Sequence, residues 1–307
     1  MPAATPASAA VLVSAADDLY ALPAAVALLS AATASPSRPP CLLLDAGLAA
    51  GTLAAVERAF ERAGVAFTRR PAPPLPDGGL GLPAGLPLAA CARLSLAAVA
   101  GDLALRSLYL DADTLTTVSV DLLLATELDG LPFAAVADPA IPSVAHRLGV
   151  RGWERLGIRP DAPFFNSGVL LVDNRRWQEA HIGELAFERL REGETAAWEQ
   201  GALNAAAPGL WLALDARWNV PVRNACELPL GRWSLTKRGL RPVSPAGILH
   251  FTGRSKPWQR GYPPNPARTA YLRAWRRLLP EEALPPAHGP IAWAAARLAG
   301  RLDERDA

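Results

Sequence analysis

The sequence has few of the residues that build disulfide-stapled or metal-clustered domains, and it has almost no excess of charge. Only three cysteines occur, Cys41, Cys91 and Cys226, and they are too few and too scattered for a disulfide scaffold or a zinc cluster. The formal net charge of +2 argues against nucleic acid as the main partner, because binding to phosphates requires a clear basic excess. We therefore expect reduced thiols and a reducing compartment.

Long apolar runs are also missing. No segment is long enough to cross a bilayer, and the first residues lack the basic stretch of a secretory signal. Both absences favour a cytoplasmic location. With 307 residues, of which 50% are hydrophobic, the chain is nevertheless long enough to bury a large core in one or two domains.

Lysine and histidine are scarce in a way that marks one segment. Of 31 basic residues only Lys237 and Lys256 are lysines, and the chain has four histidines in all. His250 precedes Lys256 by six residues. Since arginine serves almost everywhere else, a lysine kept beside a histidine indicates a place that requires a compact ammonium group.

Short apolar runs alternate with helical stretches, which predicts an α/β fold with a largely parallel sheet. Strands are expected at residues 11–14, 107–110 and 247–251, and helices at residues 89–99 and 179–191. Each of these three strands is followed by polar residues. In open α/β sheets ligands bind at the carboxyl ends of the strands, so the site is expected there.

The end of the chain has a different character, with Arg- and Trp-rich helical segments. We therefore divide the sequence into a catalytic domain over residues 1–266 and a helical C-terminal tail over residues 267–307. Trp275 stands among three arginines, a pattern that suits contact with an anionic membrane surface. The alternative, in which Trp275 packs on the domain, is favoured because the run is short for stable interfacial binding.

Two carboxylates, Asp111 and Asp113, follow the apolar run at residues 108–110. On an extended segment, residues two apart point to the same face, so both side chains are expected to converge. Carboxylates so close repel one another unless a cation lies between them, and hard oxygen ligands suit Mg²⁺ or Mn²⁺. The alternative is a solvated turn, since exposed Asp-rich turns are common.

A second group of candidate residues follows the last expected strand. His250 can supply a nitrogen to a metal that also takes carboxylates, which favours Mn²⁺. Gly253 would let the backbone approach a phosphate closely, and Lys256 would place a point charge on a phosphate oxygen. Taken together with the two carboxylates, these residues describe a metal-bridged diphosphate, although a lone histidine or lysine often lies on an ordinary loop.

Ordered sequence blocks over residues 10–260 carry a resemblance to a known family. The blocks are, in order, VLVSAADDLY, CARL, LYLDAD, FFNSGVLL, WEQGALN, WN and HFTGRSKPW. They resemble those of the family 8 glycosyltransferases, retaining enzymes that use nucleotide-sugar donors and include bacterial lipopolysaccharide galactosyl- and glucosyltransferases and the glycogenins. The resemblance implies a GT-A fold, which is a Rossmann-like, mostly parallel mixed sheet flanked by helices.

The resemblance also assigns roles at the nucleotide. Asp17, Asp18 and Tyr20 would hold the uridine of a UDP-sugar, and Arg93 would contact the donor. The carboxylates and His250 would bind Mn²⁺, with Mg²⁺ as the alternative, and the glycine and lysine that follow would hold the diphosphate.

Three further residues fall at positions that face the sugar in the family. Asp138 and Asn166 would touch the donor sugar, and Gln200 lies where the family has its residue on the β-face of the anomeric carbon. An amide is a poor nucleophile, so Gln200 is interpreted as stabilising a cationic sugar through its carbonyl dipole. Whether Glu199 acts as a nucleophile instead stays open.

The sequence departs from the family pattern in several places. Leu19 replaces a frequent Asn, Glu199 stands where Asp is usual, Gly201 replaces an Asp, and Arg254 replaces a common Pro. The Glu199 and Gly201 changes bear on which sugar is transferred more than on the type of reaction.

The predicted function is therefore transfer of glucose or galactose from a UDP-sugar to a glycan or glycolipid. Two alternatives stay open. One is a nucleotide-sugar or glycan-binding protein that has lost turnover. The other is a metal-dependent nucleotidyltransferase, which would release diphosphate and for which the Gly-rich nucleotide loop is missing.

Overall fold

The computed structural model describes residues 8–76, 87–193, 198–222, 233–236, 239–242, 246–253 and 255–284. The strands are β1 (Ser8–Ala16), β2 (Cys41–Asp45), β3 (Phe67–Pro71), β4 (Ala104–Leu110), β5 (Thr114–Thr116), β6 (Phe133–Ala137), β7 (Phe165–Asp173), β8 (Trp211–Ala213), β9 (Val220–Pro221), β10 (Trp233–Thr236), β11 (Gly239–Pro242) and β12 (Ile248–His250). The helices are α1 (Ala21–Ala34), α2 (Ala50–Ala63), α3 (Leu88–Cys91), α4 (Leu96–Ala100), α5 (Asp121–Leu124), α6 (Asn174–Glu179), α7 (Ile182–Arg191), α8 (Trp198–Ala206) and α9 (Pro266–Leu278).

A seven-stranded mixed sheet with the order β3-β2-β1-β4-β7-β6-β8 forms the centre of the protein. Strands β1 to β4 are mutually parallel, whereas β7 runs antiparallel to β4 and β6. Helices cover both faces, which is why an inner strand such as β2 reads as a continuous apolar run with every residue buried. This confirms the predicted α/β class with a mostly parallel mixed sheet.

The two faces of the sheet bury different helices. One face packs against α1 and α9, and the other packs against α4, α7 and α8. Helix α1 has no charged residue and is buried along most of its length, as a helix that is apolar on all sides must be. Its sequence therefore predicts an inner helix, whose outer side another helix must cover.

Helix α9 is part of that covering layer. Tyr271 and Trp275 lie in the same core cluster as α1, and the Trp275 indole N–H donates to the Glu282 carbonyl at 3.0 Å. Trp275 is 2% exposed, so it packs on the domain, which was the favoured expectation. This side chain therefore lends no support to a membrane contact, and the domain boundary drawn after residue 266 stays a prediction.

The carboxyl ends of β1 and β4 meet at one edge because these strands are adjacent and parallel. A three-stranded sheet, β5-β12-β9, contacts the chain as it leaves β4. In that sheet β12 runs antiparallel to β5 with His250 opposite Thr114, and the Phe251 N–H donates to the Asp113 carbonyl at 2.9 Å. This register brings the histidine next to the carboxylates.

The prediction that Asp111 and Asp113 lie on an extended segment is wrong. Strand β4 ends at Leu110, and the Asp111 carbonyl then accepts hydrogen bonds from the Thr114 N–H at 3.0 Å and its hydroxyl at 2.8 Å. The chain turns here because it leaves the large sheet and enters β5 of the small one. The carboxylates therefore converge through a turn and not through the alternation of a strand.

Two predicted helices are interrupted. Residues 89–99 form α3, a 3₁₀ turn over Ala92–Ser95 and α4, in place of one helix. Residues 179–191 are divided between α6 and α7, because His181 between them adopts the left-handed conformation with φ of +52°. The spacing of apolar residues correctly predicted helical structure in both segments, but such spacing does not reveal where a helix is locally interrupted.

Within the described ranges, no helix is both long and apolar enough to span a bilayer. Cys41 and Cys91 are buried free thiols, and Cys226 lies outside the described residues.

Candidate functional site

A pocket of about 300 Å³ opens at the carboxyl ends of β1 and β4. The charged and aromatic side chains that line it come from the segments predicted to carry the site: Asp17, Tyr20, Arg93, Tyr109, Asp111, Asp113 and Lys256. Of the predicted nucleotide and metal residues, Asp18, His250 and Gly253 lie outside this lining. The structure thus brings most of the predicted nucleotide and metal residues to one pocket.

Asp111, Asp113 and His250 form the only described group of this kind whose potential ligand atoms all lie within 4.8 Å of one another. The His250 Nε2 is 3.2 Å from Asp113 Oδ1 and 3.6 Å from Asp111 Oδ2. Two carboxylates and one imidazole are a donor set that suits Mn²⁺, with Mg²⁺ as a harder alternative. The residues present therefore fit a divalent cation.

Gly168, on β7, is what allows these ligands to approach so closely. A Cβ at this position would stand 2.2 Å from His250 Cε1 and 2.8 Å from Asp111 Oδ2. This glycine belongs to the FFNSGVLL block, but the sequence alone assigns it no role. The available signal was a glycine inside an apolar strand, which marks a close approach.

Lys256 is buried against the same carboxylates. Its Nζ lies 2.5 Å from Asp113 Oδ2 and donates to the Phe251 carbonyl at 3.1 Å. Burial opposes the charge on Asp113, but the neighbouring Lys256 ammonium and His250 hold the pKa of its carboxyl well below the usual range. Burial likewise acts to lower the pKa of Lys256, yet Asp113 keeps it above its ordinary value.

Arg93, on the 3₁₀ turn between α3 and α4, holds the other carboxylate. Its guanidinium lies 2.7 Å from Asp111 Oδ1 and donates to the Ser167 hydroxyl at 2.9 Å. It also lies over the ring of Tyr109 at 5.0 Å, and the Tyr109 hydroxyl donates to Asp111 Oδ1 at 3.1 Å. Arg93 therefore positions Asp111 as well as lining the pocket, and Tyr109 is a further contact that the sequence did not reveal. We call Arg93, Asp111, Asp113, His250 and Lys256 the charged half of the site.

Glu199 stands at the edge of this half, 3.6 Å from the Arg93 guanidinium. Burial raises the pKa of Glu199, although the arginine acts in the opposite direction. The longer side chain at this position therefore reaches the arginine but lies in surroundings that disfavour its charge.

Asp138, Asn166 and Gln200 meet next to the charged half. Asp138 Oδ2 accepts hydrogen bonds from Asn166 Nδ2 and from Gln200 Nε2, both at 3.1 Å. The Gln200 carbonyl oxygen in turn accepts from the Ser167 N–H at 3.2 Å. The three predicted sugar residues are thus one hydrogen-bonded cluster.

Asn219 joins this cluster to the histidine and was missed as a site residue. Its Nδ2 donates to Asn166 Oδ1 at 2.8 Å, and its Oδ1 lies 2.9 Å from His250 Nδ1. We call Asp138, Asn166, Gln200 and Asn219 the amide half of the site. The signal for Asn219 was its place in the WN block, but nothing in one sequence says what it touches.

The two aspartates in the turn after β1, Asp17 and Asp18, make different contacts. Asp17 lines the pocket and accepts from the Tyr20 N–H at 3.1 Å. Asp18 instead accepts from the Ala49 N–H at 2.8 Å, at the start of α2. Gly253 adopts a φ of +93°, which favours glycine, and Arg254 lies outside the described residues.

Comparison with known proteins agrees with this arrangement. The family model described as Glycosyl transferase family 8 matches residues 80–261, more than half of the chain. Glycosyltransferase GlyB of Streptococcus pneumoniae serotype 4 is 32% identical over 163 residues, which is 50% of this chain and 34% of that protein. The lipopolysaccharide 1,2-glucosyltransferase of Escherichia coli K12 is 29% identical over 159 residues, 50% of this chain and 44% of that one. The chain thus spans about a third to a half of these relatives.

A solved structure extends the likeness over nearly the whole chain. The galactosyltransferase LgtC, crystallised in complex with donor and acceptor sugar analogues, superposes with a TM-score of 0.68 at 25% identity, covering 93% of this chain and 99% of that one. The chain therefore has a GT-A fold. On this evidence the chain belongs to glycosyltransferase family 8.

Proposed function

We propose that the protein is a retaining hexosyltransferase that moves glucose or galactose from a UDP-sugar to a glycan or glycolipid acceptor, with Mn²⁺ as its metal. The observation that carries the proposal is that Asp111, Asp113 and the buried Lys256 line one pocket, with His250 lying against both carboxylates. This is a site for a divalent cation and a diphosphate side by side.

The metal would be held by Asp111, Asp113 and His250. When bound, Mn²⁺ (or Mg²⁺) would neutralise charge that develops on the departing diphosphate. Arg93 keeps Asp111 in place by binding its carboxylate through both terminal nitrogens. Gly168 leaves the space in which the ligands approach.

Lys256 would serve the diphosphate directly. Its ammonium is buried and already oriented, so it stabilises negative charge on a phosphate oxygen with little reorganisation. Gly253, three residues earlier, would let the backbone approach the same group. Asp17 and Tyr20, which line the pocket, would hold the uridine, while Asp18 would shape the turn that carries them.

The amide half would receive the sugar. Asp138 and Asn166 would bind its hydroxyl groups, and the Gln200 carbonyl would stabilise a cationic sugar through the lone pair that Ser167 leaves free. In a retaining transfer the acceptor hydroxyl attacks on the face from which UDP departs. A phosphate oxygen of the leaving UDP would take the acceptor proton, so that UDP and an α-linked product form.

Glu199 is the residue on which donor choice would depend most. It is buried beside Arg93, and this burial raises its pKa and so disfavours the charged carboxylate that a nucleophile requires. We therefore assign it to positioning of the sugar. A glycolipid acceptor is suggested by the similarity to a lipopolysaccharide glucosyltransferase, and the scarcity of cysteine supports action in the cytoplasm.

A donor screen tests the proposal. UDP release is measured with UDP-glucose and UDP-galactose, each with and without Mn²⁺ and a glycan acceptor. We expect release from one donor in the presence of Mn²⁺ and its loss in Asp111→Asn. Tight donor binding without release would favour a binding protein, and release of inorganic diphosphate from a nucleoside triphosphate would favour a nucleotidyltransferase.

A further inference from the structure

We infer that Asn219 is a positioning residue that fixes the ring of His250 and ties the charged half of the site to the amide half. The role of Asn219 in transfer rests on the proposed function, whereas its hydrogen bonds to Asn166 and His250 do not. Asn219 is 3% exposed and is placed by strand pairing, because Val220 lies opposite Leu249, the residue before the histidine.

The direction of the hydrogen bonds is set by the backbone. The Gly168 N–H can only donate, and it donates to Asn166 Oδ1 at 3.0 Å. Asn166 Nδ2 then faces the Asp138 carboxylate, which accepts. The atom of Asn219 that lies 2.8 Å from Asn166 Oδ1 must therefore be its Nδ2, because two carbonyl oxygens would repel.

The amide orientation of Gln200 is set in the same way by a different backbone N–H group. The Ser167 N–H donates to Gln200 Oε1, so Gln200 Nε2 faces Asp138 Oδ2. Both amide groups therefore donate to one carboxylate oxygen, while Asp138 Oδ1 accepts from the Ala140 N–H at 2.8 Å. Two adjacent backbone donors, on Ser167 and Gly168, thus orient every amide around Asp138.

The consequence reaches the histidine. With its Nδ2 committed to Asn166, Asn219 presents Oδ1 to His250 Nδ1 at 2.9 Å. That nitrogen must carry a proton, and Nε2 is left to face Asp111 and Asp113 and to offer its lone pair to a metal. An outer hydrogen bond of this type orients a metal-binding imidazole, and its loss typically lowers metal affinity by about 10- to 100-fold.

The ring itself gives a test that requires no activity. With only four histidines in the chain, ¹⁵N-labelled imidazole signals can be assigned by comparison with His250→Gln. In the metal-free protein we expect a proton on Nδ1 of His250. A bare Nδ1 in the parent protein would overturn the inference.

Two variants separate the two hydrogen bonds of Asn219. Asn219→Asp keeps an acceptor for His250 Nδ1 but removes the donor to Asn166. Asn219→Leu removes both. Asn265→Asp is the matched control, since Asn265 is 8% exposed, uses its Oδ1 to cap α9 and leaves its Nδ2 without a partner among the described residues.

Two quantities are measured for each variant. One is the affinity for Mn²⁺ in the presence of UDP, determined from the EPR signal of free Mn²⁺, and the other is kcat for transfer. We expect Asn219→Leu to lower Mn²⁺ affinity by about 10- to 100-fold. Asn219→Asp should keep parental Mn²⁺ affinity or exceed it, yet lose kcat by a similar factor, because its carboxylate would repel Asn166 Oδ1 and displace that side chain. The control should match the parent protein in both.

Parental Mn²⁺ affinity in Asn219→Leu would contradict the inference, as would an equal loss of affinity in both Asn219 variants. If Asn219→Leu does not fold, the Mn²⁺ affinity and kcat of Asn219→Asp and the imidazole spectrum of the parent protein still test the positioning role. If the parent protein releases no UDP while the spectrum and Mn²⁺ results hold, the proposed function fails and the positioning role of Asn219 stands.

Discussion

The two halves of the site are built from different chemistry, although they lie side by side: Arg93 and His250 of the charged half contact β7, and Asn166 of the amide half lies on it. In the charged half, Arg93, Lys256 and His250 surround two carboxylates, and the shortest contact is 2.5 Å. In the amide half, one carboxylate is satisfied by neutral donors at 2.8 to 3.1 Å.

The difference corresponds to what each half would hold. A diphosphate and its metal carry whole charges, which buried ionic side chains can balance. A hexose carries none, and neutral amides can orient its hydroxyl groups without the cost of burying further ions. We therefore expect the halves to fail differently: damage to the charged half should abolish metal binding, and damage to the amide half should spare it except at Asn219, which contacts the His250 ring.

The largest effect is expected for Asp111→Asn. Loss of a carboxylate ligand should lower UDP release by at least about 100-fold, as removal of a preorganised electrostatic contact does, and weaken Mn²⁺ binding in parallel. Asp113→Asn is a poorer choice because it would leave the buried Lys256 without its partner, at a cost of about 3–5 kcal/mol, whereas Asp111→Asn leaves Arg93 beside Glu199 at 3.6 Å. Thermal unfolding separates the two cases. Release unchanged in Asp111→Asn would exclude the metal role.

Gly168→Ala should come next, because the added methyl group would push His250 away from Asp111. A misplacement near 1 Å can reduce a rate by about 100-fold, and overpacking of this kind typically destabilises the fold by about 1–3 kcal/mol. The measurements are Mn²⁺ affinity and the free energy of unfolding. Gly51→Ala is the control: it lies in α2 with open space around its Cβ, so it should leave both activity and stability at or above parental values. Equal behaviour of the two variants would contradict this account of Gly168.

The sequence predicted the charged half better than the amide half for a physical reason. Asp111, Asp113 and His250 stand at strand ends, and rare residue types such as Lys256 are visible in one sequence. The role of Asn219 depends on pairing between β9 and β12, and that of Gly168 on side chains from two other segments. Such contacts are set by long-range packing: a glycine inside an apolar strand signals a close approach but does not say to which residues. The turn after Leu110 replaced the expected extended segment for a similar reason, because it depends on the chain entering a second sheet.

Gln200→Ala tests the amide half. It removes one donor to Asp138 and leaves the Ser167 N–H without its acceptor, but it touches no residue of the charged half that binds metal. We expect kcat for transfer to fall by about 100-fold, the scale for loss of one electrostatic contact to a transition state. The affinity for UDP with Mn²⁺, measured by calorimetry, should stay within about threefold of the parental value. A parallel loss of UDP affinity would remove the distinction between the halves.

The smallest effect concerns stability. The pKa of Glu199 is raised by burial in the folded protein, so the folded state holds this proton more tightly than the unfolded chain does. The stabilisation that this proton confers is fully present below the pKa that Glu199 has in the unfolded chain. It is lost as the pH rises through the pKa that Glu199 has in the folded protein. Glu199→Gln lacks this dependence, so in urea titrations its free energy of unfolding should gain on that of the parent protein as the pH rises above the ordinary pKa of a glutamate. The opposite trend would mean that Arg93 outweighs burial.

The most direct measurement of the central claim is anomalous diffraction at the manganese edge from crystals grown with Mn²⁺ and UDP. The account predicts one strong peak bounded by Asp111, Asp113 and His250, with the UDP diphosphate between that peak and Lys256. Density for UDP with no manganese at these three residues, or manganese bound elsewhere in the pocket, would contradict it.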